Sequence, residues 1–124
     1  MTRILVADDD RDIRELVVAK LELSGYEVVA FANGEAVLDA LRGGGIDLVL
    51  LDASMPGRGG VEVCAAVRHD PQFASLPVIL LSARAEESDV EVGLAAGATD
   101  YVVKPFSPRG LLERVEEALQ GAAR

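Results

Sequence analysis

Apolar residues in this chain gather in two kinds of pattern. Runs rich in Leu and β-branched residues occur as RILVA at 3–7, YEVVAF at 26–31, DLVLL at 47–51, PVILLS at 77–82 and DYVVK at 100–104. Three of these are nearly continuous in apolar character, as expected of strands covered on both faces of a parallel sheet. Between the runs, apolar positions recur at spacings of three and four. Ile13, Leu16, Val17 and Leu21 predict an amphipathic helix, with Asp10 as its N-cap and Gly25 as its stop. Asn33 is placed to cap a second helix through Leu41, ended by Gly43, Gly44 and Gly45, and Val61, Cys64 and Val67 mark a third before the DPQ break. A fourth helix follows Glu86. The last begins at about Pro108, where proline suits a first turn, carries Leu111, Leu112, Val115 and Leu119 on one face, and frays at QGAAR. Strict alternation of strand and helix with short links predicts one α/β domain over residues 1–124, a doubly wound five-stranded parallel sheet with helices on both faces.

Length and composition support that architecture and remove some functions. With 124 residues, half of them apolar, the chain can bury one sizeable core. Asp and Glu outnumber Lys and Arg 21 to 12, and a net charge of -9 opposes attraction to nucleic acid or to an anionic membrane surface. The lone Cys64, set among apolar neighbours, forms no internal disulfide and no cysteine zinc cage, and is expected as a small buried hydrophobe. MTRILVADDD is broken by three acids, which suits neither a signal peptide nor a spanning helix. A soluble, cytoplasmic protein is expected.

The polar residues that interrupt the pattern lie at the carboxyl ends of the apolar runs. These are Asp8 and Asp9 after the first, Asp52 after the third, Ser82 after the fourth and Lys104 after the fifth. In a parallel sheet all five meet at one edge, where such folds build their sites. Carboxylates brought together repel unless a cation joins them, and an oxygen-only donor set suits Mg2+. A carboxylate beside a metal and an ammonium can attack a phosphoryl group and form an aspartyl phosphate. Ser82 and Lys104 are then placed to bond or neutralise the oxygens of the transferring group.

The ordered set ILVADDD, LLDASMPG, PVILLSARAEE and GATDYVVKPF resembles the receiver domains of bacterial two-component response regulators, and the resemblance covers essentially the whole chain. It implies a flavodoxin-like (βα)5 fold. It also implies an acidic pair Asp8 and Asp9, with Asp9 the more direct Mg2+ ligand, and Asp52 as phosphoacceptor. Ser54 would supply its backbone carbonyl to the metal, Ser82 is the switch hydroxyl, Lys104 contacts the phosphoryl group, Pro105 follows a cis peptide, and Tyr101 is the aromatic switch residue. A sensor histidine kinase or phosphotransfer protein presents the phosphohistidine, and the chain catalyses only its own modification. Phosphorylation would reshape the surface of the fourth helix, fifth strand and fifth helix, where a downstream effector reads it.

Other assignments compete residue by residue. Asp10 suits a helix cap better than a ligand, and His69, beside DPQ, is expected to face solvent. The glycines of RGGGID and GRGG lack the spacing of a phosphate-binding loop and are expected as turns. Gly59 stands where many relatives carry an acid, while Ser54, Ala83 and Arg84 lie near the path of the water that would hydrolyse the phosphate. Of the charge pairs that dimerise one receiver subgroup, only Asp100 with Arg114 is present, so a monomer or weak dimer is expected. No output domain follows, and Met1 favours the front of a longer regulator or a free-standing receiver. Two rival functions are a phosphate-independent binding module and, using Asp8 and Asp10, a Mg2+-dependent phosphatase with an aspartyl nucleophile.

Overall fold

The computed structural model describes residues 1–122 of the chain. Five strands, β1 (Arg3–Ala7), β2 (Glu27–Phe31), β3 (Leu48–Asp52), β4 (Val78–Ser82) and β5 (Asp100–Val103), alternate with five helices, α1 (Arg11–Leu23), α2 (Gly34–Arg42), α3 (Gly60–His69), α4 (Glu87–Ala95) and α5 (Pro108–Ala122). A short 3-10 turn, Pro71–Phe73, occupies the DPQ break. All strand pairs are parallel, in the order β2-β1-β3-β4-β5. The three strands inside the sheet, β1, β3 and β4, are the ones whose residues are almost wholly buried, while β2 at one edge is largely exposed or half-buried.

The period of two along each inner strand divides the core into two layers. Ile4, Val6, Leu48, Leu50, Ile79 and Leu81 face α1 and α5, where they meet Val17, Leu21, Leu111 and Val115. Leu5, Ala7, Val49, Leu51, Val78 and Leu80 face the other way, onto Val37, Leu41, Val63, Cys64, Val67 and Tyr101. Cys64 is fully buried and His69 exposed, as expected from the sequence.

The helix ends follow the capping residues. Asp10 accepts from the amides of Asp12 and Ile13, and Asn33 from that of Ala36. Gly25, Gly44 and Gly45 take positive φ just after the helices they follow, where a side chain would be strained. Several expectations change. Asp52, expected just after the third run, is the last residue of β3, while Ser82 ends β4 as it ended the fourth run. Leu16, expected on the buried stripe of α1, is half exposed, because Val17 and Leu21 already meet the sheet and Leu16 turns toward the shallow seam with α5. On α3 Val63 is fully buried along with Cys64 and Val67, whereas Val61 is only half-buried, and on α5 Ala118 is buried more deeply than Leu119. Helix α5 continues through Ala122, so QGA is helical, and the rest of the expected fray at Ala123 and Arg124 lies outside the described residues. Among the described residues, no helix is long and apolar enough to cross a membrane.

Candidate functional site

The chain passes from β1 outward to β2, then crosses back to place β3 on the other side of β1. At this reversal the loops leaving β1 and β3 diverge and leave a crevice at the carboxyl ends of the strands. A cleft of about 570 Å3 opens there, lined by Asp9, Asp52, Ser82 and Lys104, with Ser54 and Arg84 at its wall.

Asp8 is fully buried, and both of its carboxylate oxygens are hydrogen-bonded. One oxygen accepts from the amide of Asp10 at 2.9 Å and the other from Lys104 Nζ at 2.9 Å. The guanidinium of Arg14 donates to its backbone carbonyl at 2.8 Å. Bonds to a fully charged acceptor are the strong kind, and they offset the cost of burying it. Lys104 also reaches Asp52 Oδ1 at 3.5 Å, so one ammonium serves two carboxylates. Burial alone would lower the pKa of Lys104, but the bond to Asp8 and the charges of Asp52 and Asp8 outweigh it and hold the group above its ordinary value, fully charged at neutral pH.

Asp52 is the least comfortable charge in the site. It is 6 % exposed, and among the described residues its carboxylate accepts one backbone bond, from the amide of Ser54 at 3.1 Å. Desolvation, then the contact with the Asp9 carboxyl, then the charge of Asp8 push its pKa up to about 6, against the lowering effects of the Ser54 amide and Lys104. Asp8, Asp9 and Asp52 each offer a carboxylate oxygen, and these oxygens lie within 4.8 Å of one another. Asp9 is exposed and thus the arm of this cluster that faces solvent.

On the far side of the cleft, Ser82 Oγ accepts from the amide of Arg84 at 3.1 Å, which leaves its own proton free to donate outward. Tyr101 is buried, with its hydroxyl donating to the carbonyl of the same Arg84 at 2.8 Å. One residue's backbone therefore ties Ser82 to Tyr101. The Lys104–Pro105 peptide is cis.

The residues singled out at the strand ends are thus brought together, and Asp10 is confined to its capping bonds. Two contributors carry no signal in the sequence. Arg14 reads as a surface residue of α1, and its bond to Asp8 exists only because α1 starts directly above the end of β1. Gly60 opens α3 so close to β3 that a Cβ there would overlap the Asp52 carbonyl oxygen and come within 2.8 Å of its carbonyl carbon.

Residues 4–116 match the family model for the response regulator receiver domain. The chain belongs to that family. This receiver is 40% identical over 118 residues to the DNA-binding response regulator MtrA of Mycolicibacterium smegmatis, covering 95% of the receiver and 50% of MtrA. It is 38% identical over 117 residues to the phosphate regulon transcriptional regulatory protein PhoB of Pseudomonas aeruginosa, covering 94% and 51%. The receiver spans about half the length of the curated relatives it matches. Among solved structures it is similar to the response regulator TrrA of Thermotoga maritima in complex with Mg2+ and BeF, with a TM-score of 0.84 and 40% identity over 95% of the receiver and 99% of that chain. It is a signalling domain, homologous to two-component response regulators.

Proposed function

We propose that this receiver is a phosphorylation-dependent switch of the cytoplasm in which Asp52 accepts a phosphoryl group from a sensor histidine kinase or a phosphotransfer protein. The observation that supports it is the site's charge balance: three clustered carboxylates, two of them paired with one ammonium, at the edge of an open cleft.

That balance fits Mg2+. The donors are all hard oxygens, one Lys104 cannot neutralise three acids, and burial first, then the neighbouring Asp9 and Asp8 carboxyls, raise the pKa of Asp52. Asp8, Asp9, Asp52 and the Ser54 carbonyl would hold the ion. When bound it supplies positive charge that keeps Asp52 ionised at neutral pH and offsets charge on the phosphoryl oxygens.

The chain's own residues perform the rest. An ionised Asp52 oxygen forms the new bond to phosphorus as the bond from phosphorus to the donor's imidazole nitrogen breaks, and the electron pair leaves with the imidazole. Lys104, held in place by Asp8, faces the oxygens of the transferring group, and Ser82 donates its free proton to one of them. A phosphoryl group adds a charge of about -1.5 to -2 and three strong acceptors. Its hold on Ser82 reaches Tyr101 through Arg84, and so the α4-β5-α5 surface that a downstream effector would read. MtrA is named as DNA-binding and PhoB as a transcriptional regulator, and the receiver matches half of each. A transcription-regulating effector is therefore the partner we favour, with no nucleic acid contacted by the acidic receiver domain, residues 1–124, itself.

Intact-mass spectrometry after incubation with acetyl phosphate tests this. Wild type is expected to gain a phosphoryl adduct that requires Mg2+, and Asp52→Asn to gain none. Absence of an adduct on wild type, under conditions that label a control receiver, would leave a phosphate-independent binding module as the better account.

A further inference from the structure

Helix α4 has the weakest apolar anchorage of the five. Its only buried residue is Gly93, in the last turn, with Val90 half-buried one turn before it. A glycine inside a helix is disfavoured relative to alanine, so its presence there asks for a packing reason. The packing reason is visible: a Cβ at Gly93 would lie 2.9 Å from Tyr101 Cδ2 and 2.9 Å from Leu80 Cδ1, closer than such atoms approach, and a tight 3.1 Å from Tyr101 Cε2. The bare Cα of Gly93 is the seat of the Tyr101 ring.

We infer that Gly93 is a positioning residue that acts through Tyr101, setting how closely α4 can lie over the ring and so holding the ring inward, with its hydroxyl on the Arg84 carbonyl. The inference rests on the proposed coupling of Asp52 and Ser82 to Tyr101. Leu80 is held by β4 on the inner side of the sheet, and its Cδ1 has little room to retreat while Tyr101 is inward. Tyr101 sits on β5, the edge strand, and can leave toward solvent. A methyl group at position 93 therefore displaces the ring. Because the Arg84 backbone bonds both Tyr101 and Ser82, displacement removes one of these two bonds from the β4–α4 loop.

The chain has two tyrosines and no tryptophan, so Tyr26→Phe leaves Tyr101 as the only strong fluorophore. In that background, acrylamide quenching of the unphosphorylated protein reads the exposure of the ring directly. Gly93→Ala is expected to raise the quenching constant several-fold and to slow Mg2+-dependent labelling of Asp52 by acetyl phosphate several-fold. In a Tyr101→Ala background, Gly93→Ala is expected to leave the labelling rate unchanged and to raise the melting temperature, since the space is vacated and only helix propensity remains. Unchanged quenching in a folded Gly93→Ala protein would mean that α4 moves instead, and would overturn the inference. If Gly93→Ala fails to fold, the double variant must fold for the inference to stand, and its failure would overturn it. Increased ring exposure in a protein whose wild type takes no label would uphold the seat and sink the phosphorylation reading, so the two are separable.

Discussion

Asp52 carries a charge that the folded protein disfavours. Its ordinary pKa of 3.8 rises to about 6 on folding, chiefly through desolvation and then through the neighbouring Asp9 and Asp8. Between these values the native state binds more protons than the unfolded chain, so stability falls as pH rises. Without Mg2+, the stability associated with Asp52 is fully present below about pH 4 and is lost by about pH 6 to 7, a change of about 3 kcal/mol. Urea denaturation from pH 4 to 8 is expected to show this decline in wild type and a flatter profile in Asp52→Asn, which is then the more stable protein at pH 8. Added Mg2+ should stabilise wild type at pH 8 and have much less effect on the variant. A wild-type profile that rises across this window would contradict the assignment. The two other ionised partners differ in legibility: Lys104 before a proline is marked by its place at a strand end, whereas nothing in the sequence says that its closer partner is Asp8 at 2.9 Å rather than Asp52 at 3.5 Å.

At the scale of elements, the junction of β3 with α3 decides where Asp52 points. The chain leaves Asp52, runs through the MPGRG loop, and returns so that the amide of Gly60 bonds the carbonyl of Ala53 at 3.0 Å. Helix propensity alone would make Gly60→Ala favourable by about 1 kcal/mol. Here the added methyl meets backbone, which cannot rotate aside, and overpacking of this kind costs about 1–3 kcal/mol. The expected net result is destabilisation in urea titration together with slower labelling of Asp52, whereas a more stable variant with normal labelling would show that the junction yields freely. The helices themselves were legible, because caps such as Asp10 and Asn33 act within a few residues of sequence. The side of each helix that is deepest was less so: Leu16 fits the apolar spacing of α1 and still ends half exposed, since which neighbour covers a residue is a matter between elements.

At the scale of the molecule, the sheet order sets both stability and site. β1, β3 and β4 have neighbours on both sides and are buried on both faces, so their amides should exchange with solvent last, through global unfolding. Edge strand β2 and the thinly anchored α4 should exchange sooner, and hydrogen-exchange mass spectrometry checks the ranking. Equal protection of α4 and β3 would overturn it. The Asp100–Arg114 pair, which resembles one of the charge pairs that dimerise a receiver subgroup, is closed within one chain by two bonds of 2.6 Å. The amino-acid sequence by itself determined the elements, the parallel sheet and the set of polar residues at its carboxyl edge, because periodicity, caps and strand ends are local properties of the chain. Only the tertiary structure decided that Lys104 bridges Asp8 and Asp52, that Asp52 is the strained charge, that the Arg84 backbone joins Ser82 to Tyr101, and that Gly60 and Gly93 must lack side chains. Apart from the local Arg84–Ser82 bond, those are contacts between residues from 7 to 96 positions apart, and their distances follow from how the layers pack and not from any pattern along the chain.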